Sequence, residues 1–202
     1  MPPASALQKL QKLALAKPLI RAGDAAQAGV SATELTRLTR AGRLERVERG
    51  LYRLAEAEGY EHPDLVEAAI RVPRGVIVLL SALNFHGLGS HPAWEVWMQL
   101  PANFPVPRLQ HPPLRIIRSR MPEAFTEGVG VHQIAGHAVR ITDPDRTIVD
   151  CFKHRSTVTL ELCLDVLRQR LRQQRGSLEA LQRYAKLMKV TRVMQPYLEA
   201  LA

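Results

Sequence analysis

Thr33, Thr36, Arg37 and Arg40 are spaced i, i+3, i+4 and i+7, so on a helix they share one face. Their chemistry suits DNA. Hydroxyls and guanidiniums donate to phosphate oxygens, and Arg can bond guanine bidentately in the major groove. Leu35 and Leu38 form a short apolar stripe on the other side. Ser31 and Glu34 stand at capping-box spacing, in which each side chain satisfies an orphan backbone N–H at a helix start. Gly42 falls where a helix exits through a left-handed residue. The pattern predicts a helix that begins after Ser31 and ends before Gly42. A capped surface helix with no ligand would carry the same local signature.

Other chemistry is sparse. Asp143, Asp145 and Asp150 are the best carboxylate cluster, and a metal-dependent nuclease would use such a cluster to hold Mg²⁺. The structural alternative is a helix start. Asp143 suits an N-cap, Pro144 the first helical position, and Asp145 the positive end of the helix dipole. Asp150 then points elsewhere around that helix. His86 with His91, and His132 with His137, are pairs without a Cys or carboxylate at metal-ligand spacing. Ser81 and His86 share a predicted helix, but no glycine elbow surrounds the serine. There is no Walker loop and no GxGxxG. The expectation is no cofactor, no metal and no catalytic residue.

The elements that must hold residues 33–40 are legible upstream and downstream. Residues 5–16 place Leu7, Leu10, Leu13 and Ala14 at helical period, and Pro18 ends the run. Leu19-Ile20 reads as a short strand or as the entry to the next helix. Residues 22–28 are an Ala-rich helix stopped by Gly29. The capped helix follows after a two-residue joint, which makes a helix-turn-helix pattern. Residues 43–47 and 51–54 flank Gly50 as a predicted hairpin. Three helices and a hairpin follow the order of a winged helix-turn-helix. Arg43, Arg46, Arg49 and Arg53 fall in and around the wing, in reach of phosphates or a minor groove. The expected DNA-binding set is therefore Ser31, Thr33, Thr36, Arg37, Arg40, Arg43, Arg46, Arg49 and Arg53. A winged helix used only for protein contact is the alternative.

Charge agrees with a polyanionic partner. The chain carries +9, of which residues 1–55 supply +6, with ten Lys/Arg against four Asp/Glu. A merely soluble basic face is the plainer account of that surplus. Aromatics are 5% of the chain, so aliphatic packing must build the core. Cys151 and Cys163 sit in apolar helical patterns and read as reduced core thiols of a cytoplasmic protein. No apolar run approaches the roughly 20 residues of a membrane span. Lys9, Lys12 and Lys17 interrupt any signal-peptide core.

Residues 55–61 look like a domain joint. Beyond it the pattern predicts a helix to Arg71, a strand or helix start over 75–80, and a helix over 81–86. A strand over 94–100, a proline-rich loop over 101–113 and a strand over 114–118 follow. A hairpin about Ala135-Gly136 comes next, then a helix opening at Asp143-Pro144. From there the chain reads as helical, with a kink or a late start expected at Pro196. Its last part is basic through Arg168, Arg170, Arg172, Arg175, Arg183, Lys186, Lys189 and Arg192. Such a run is commonly a solvated face. As a docking surface for an acidic partner, Arg168, Arg172, Arg175, Arg183 and Lys186 are the candidates. The fold class expected is α+β: a winged helix-turn-helix over 1–55, then a mixed α+β domain over 56–202 ending in helices.

The sequence resembles the AbiEi family of antitoxins, from bacterial type IV toxin–antitoxin and abortive-infection systems. In the first domain the resemblance rests on Ala28-Gly29-Val30-Ser31, on residues 38–47 (LTRAGRLERV) and on Arg49-Gly50-Leu51-Tyr52-Arg53. In the second it rests on residues 81–88 (SALNFHGL) and 143–150 (DPDRTIVD). It implies a repressor whose winged helix binds inverted repeats in its own promoter, and whose second domain counteracts a nucleotidyltransferase toxin in phage defence, with no enzymatic activity. Members vary in the second domain, so a winged-helix regulator without a toxin is an alternative, as is a DNA-targeted nuclease. The oligomeric state is open, a monomer binding DNA cooperatively being one arrangement.

Overall fold

Ser5 opens helix α1 (Ala6–Ala16) of the computed structural model through a capping box with Gln8. The structure describes residues 5–56, 60–89, 91, 93–105, 111–173 and 178–201. The chain divides into two units, one of residues 1–63 with 133–137, the other of residues 64–132 with 138–202.

In the first unit α1 is followed by β1 (Leu19–Arg21), α2 (Ala22–Gln27), α3 (Ala32–Arg40), β2 (Leu44–Glu48) and β3 (Leu51–Leu54). Leu19-Ile20 is thus a strand. It completes an antiparallel sheet of order β1-β3-β2, with Leu19 opposite Arg53 and Ile20 opposite Tyr52. The β2–β3 hairpin turns at Gly50 (φ +80°), and its register shifts between Arg46 and Glu48. The helical period carries Leu10, Ala25, Leu35 and Leu38 into one core with Ile20, Val30 and Leu44. Each leucine, isoleucine or valine among them contributes about 1.5–3 kcal/mol when fully removed from water.

The second unit holds α4 (Pro63–Arg71), β4 (Val76–Ile77), α5 (Leu79–Phe85), β5 (Val96–Pro101) and β6 (Leu114–Ser119). A 3₁₀ turn (Pro122–Phe125), β7 (Val129–Ile134) and β8 (His137–Thr142) follow. The helices α6 (Pro144–Lys153), α7 (Arg155–Val158), α8 (Leu160–Arg172), α9 (Leu178–Leu187) and α10 (Thr191–Leu201) complete it. The sheet order is β6-β5-β4-β8-β7. Strand β4 pairs antiparallel to β5 and parallel to β8, and β5 pairs parallel to β6. The fold is mixed α+β.

Several boundaries differ from those expected. Helix α5 starts at Leu79, not Ser81, because Leu79 and Leu83 both turn into the core. Strand β5 starts at Val96, while Trp94 is 86% exposed. The helical tail breaks at His154 and again at Thr159, whose φ of +71° ends one helix and whose hydroxyl caps the next. Helix α10 runs from Thr191 through Pro196. Residues 57–59 of the expected joint and 106–110 of the proline-rich loop lie outside the described residues. Helix α6 supplies the centre of the core through Ile148, Val149, Cys151 and Phe152. Both cysteines are free and buried. Burial pushes the Cys163 thiol up to about 11 and that of Cys151 well above its ordinary value, so both stay protonated.

Candidate nucleic-acid interface

Helix α3 is fixed at both ends by its own sequence. Ser31 N donates to Glu34 Oε2 at 2.8 Å, and Glu34 N donates to Ser31 Oγ at 3.3 Å. These bonds, the backbone one first, hold the Glu34 carboxyl below its ordinary pKa. At the other end Arg43 N donates to Leu38 O and Gly42 N to Thr39 O, with Gly42 at φ +67°; this is a Schellman motif. Leu35 and Leu38 are buried below the helix.

Thr33, Thr36, Arg37 and Arg40 all lie exposed on the outer face. At about 100° per residue they span roughly a quarter to a third of the helix circumference. Thr36 donates its hydroxyl to Ala32 O at 3.0 Å, which leaves its oxygen able to accept. No ion pair among the described residues engages Arg37, Arg40 or Arg49. Ser31 is placed differently: its hydroxyl also donates to Glu34 Oε2 at 2.8 Å, so its work is in the cap.

The hairpin arginines divide. Arg46 and Arg49 are exposed on β2 and at the turn. Arg43 forms an exposed ion pair with Glu56 at 3.3 Å. Arg53 is held against Glu45 of the neighbouring strand. Residues 133–137 also belong to this unit, and there His137 Nε2 lies 2.9 Å from the Leu19 carbonyl.

The second unit commits each of the three aspartates to a protein partner. Asp143 caps α6 through Arg146 N at 2.7 Å and accepts from the Tyr184 hydroxyl at 2.6 Å. Burial, then this bond, pushes the Tyr184 phenol up to about 12. Asp145 receives two bonds from Arg170, at 2.8 and 3.2 Å. Asp150 pairs with the buried Arg146. No group of three or more His, Cys, Asp or Glu suited to a metal occurs among the described residues. His86 points its Nε2 at the Thr142 carbonyl, 2.7 Å away, and its ring meets that of His132 edge-on at 6.2 Å.

Of the basic residues in the tail, Arg168, Arg172 and Lys186 are exposed. Arg183 stacks over the Tyr184 ring at 4.4 Å and lies 3.8 Å from Glu127. Arg175 lies outside the described residues. Tyr184 joins Asp143 without having stood out in the sequence. The two are 41 residues apart, and no local spacing announces the contact.

Among the described residues no helix is long and apolar enough to cross a membrane. No curated protein matches the chain. Among solved structures, the RV2827C protein from Mycobacterium tuberculosis shares the fold, with a TM-score of 0.60 over 88% of this chain and 69% of that one, at 16% identity. Residues 8–55, which span the sheet, α2, α3 and most of α1 of the first unit, match the family described as transcriptional regulator, AbiEi antitoxin, the family that the sequence resembles.

Proposed function

We propose that the chain is a DNA-binding transcriptional repressor and antitoxin of the AbiEi kind, acting by binding and not by catalysis. In this reading α2 and α3 are the helix-turn-helix, and β2–β3 is the wing. The observation that carries it is the outer face of α3. Thr33, Thr36, Arg37 and Arg40 stand together, exposed, on a helix held by Leu35 and Leu38. A helix about 10–12 Å across with its side chains suits a major groove about 12 Å wide. Arg46 and Arg49 on the hairpin supply phosphate or minor-groove contacts. The family match over residues 8–55 supports a regulator, and the resemblance downstream supports a nucleotidyltransferase toxin as its counterpart in a cytoplasmic phage-defence system. The expected operator is a pair of inverted repeats ahead of the chain's own gene.

A gel-shift titration on that upstream duplex tests the reading. Arg37→Ala with Arg40→Ala should weaken binding by about 30-fold or more, since each lost base contact is worth about 1–3 kcal/mol and about 1.4 kcal/mol is tenfold. Affinity should also fall steeply with salt, as phosphate contacts release counterions. Equal affinity of the double variant and the parent would remove α3 as the reading element. The antitoxin half is tested apart: the same double variant, co-expressed with the neighbouring nucleotidyltransferase, should still restore growth.

A further inference from the structure

A cleft of about 680 Å³ opens in the second unit between the 3₁₀ turn and the end of α9. Arg120, Arg183, Lys186 and Lys189 line it against two carboxylates, Glu123 and Glu127, leaving a surplus of +2. Met121 and Leu187 supply an apolar side. Lys153 lies beside it with Nζ 3.5 Å from the Met121 sulfur. Burial lowers the pKa of that amine; Asp150 opposes the shift, and Arg146 and Lys189 add to it.

The backbone adds an independent sign. Helix α9 ends in a Schellman motif, with Val190 N donating to Ala185 O and Lys189 N to Lys186 O. The same pair of bonds ends α2, α3 and α5, where the left-handed residue is Gly29, Gly42 and Gly87. At α9 it is Lys189, at φ +61°. A side chain there is strained. The helix dipole does not require it, because Lys186 already puts a cation in the last turn. The lysine thus occupies an unfavourable backbone position on the lining of the cleft.

We propose that this cleft binds a phosphate monoester of mononucleotide size. Such a group carries about −1.5 to −2 at neutral pH, which matches the lining surplus. The cleft volume is in the range of small-molecule sites, and the Met121–Leu187 side accepts the organic part of the ligand. Neither the α3 face nor the regulator assignment enters into this site.

Calorimetric titration of the full chain with AMP, CMP, GMP and UMP, with inorganic phosphate, and with the free nucleosides tests it. At least one monophosphate should bind ten-fold or more tightly than phosphate, and the nucleosides should not bind. Lys186→Gln and Lys189→Gly should each weaken that binding at least five-fold. Lys189→Gly should at the same time raise the melting temperature, because it relieves the left-handed strain; loss of binding in a more stable protein separates ligand contact from folding. Failure of every monophosphate to exceed phosphate, or parental affinity in both variants, would overturn the assignment. So would displacement of the monophosphate by upstream duplex together with an equal loss of duplex binding in the variants, since the cations would then form a DNA surface.

Discussion

Arg53 on β3 faces Glu45 on β2 across the sheet of the first unit, and their side chains meet at 2.5 Å. The pair is exposed, so it contributes only about 0.2–1 kcal/mol to stability. Its consequence lies in electrostatics, because the carboxylate offsets an arginine that would otherwise face a phosphate. Arg53→Ala should therefore weaken duplex binding less than Arg49→Ala does. Glu45→Gln should strengthen it, with melting temperatures within a few degrees of the parent. Salt-titrated gel shifts read both, and a loss from Arg53→Ala as large as that from Arg37→Ala would place Arg53 on the DNA itself.

The Ser31–Glu34 cap links helix stability to pH. Ser31→Ala removes one arm of the box, and such a change costs about 0.5–2 kcal/mol. Ser31 lowers the Glu34 pKa in the folded chain. The ionised carboxylate therefore stabilises the fold above the ordinary carboxylate pKa. That contribution is lost as pH falls through the lower, folded-state value. Thermal melts from pH 7 to pH 3 should show Glu34→Gln with a shallower decline than the parent. Its duplex affinity at neutral pH should change little, because the carboxylate is turned to the cap.

The first unit is the more legible part of the chain, because its signals are local. Ser31, Glu34 and Gly42 mark the ends of α3 within twelve residues, and Gly50 marks the hairpin. Only β1 needed the fold to decide it, since Leu19-Ile20 becomes a strand by pairing with Tyr52 and Arg53. In the second unit the deciding contacts are distant. Tyr184 meets Asp143 from 41 residues away, and Arg170 meets Asp145 from 25. Sequence spacing on α6 alone could not separate a metal cluster from a set of paired carboxylates. The breaks at His154 and Thr159 were hidden for a related reason: a left-handed threonine carries no composition signal.

His86 is expected to make the second unit acid-sensitive. Its ring is half-buried, with Nε2–H donating to the Thr142 carbonyl at 2.7 Å. Burial lowers its pKa, against the pull of that carbonyl, and His154 shifts the same way by burial. A folded state that disfavours the imidazolium is fully stable above the unfolded value of about 6.5 and loses stability as pH falls through the lower folded value. The melting temperature should drop between pH 7 and pH 5, and His86→Gln, which keeps an N–H donor for Thr142, should flatten that drop. A variant curve parallel to the parent's would assign the acid sensitivity to other groups.

Arg146 and Asp150 separate a packing role from a catalytic one. Arg146 is 0% exposed and Asp150 3%, with Nε 3.1 Å from Oδ1. Arg146 also donates to the Glu127 carbonyl, while its Nη2 and the Asp150 Oδ2 have no hydrogen-bond partner among the described residues. Burial pushes the Asp150 carboxyl up, and Arg146 opposes the shift. Each charge is thus tolerated because of the other. Removing one partner of a buried pair costs about 3–5 kcal/mol, whereas replacing both with apolar residues of similar volume is often neutral or better. Asp150→Ala should melt far below the parent, and Arg146→Met combined with Asp150→Leu should recover most of the loss. A metal-binding Asp150 would behave in the opposite way. Its alanine variant would keep the parental melting curve and lose Mg²⁺-dependent cleavage, and the double apolar variant would restore nothing.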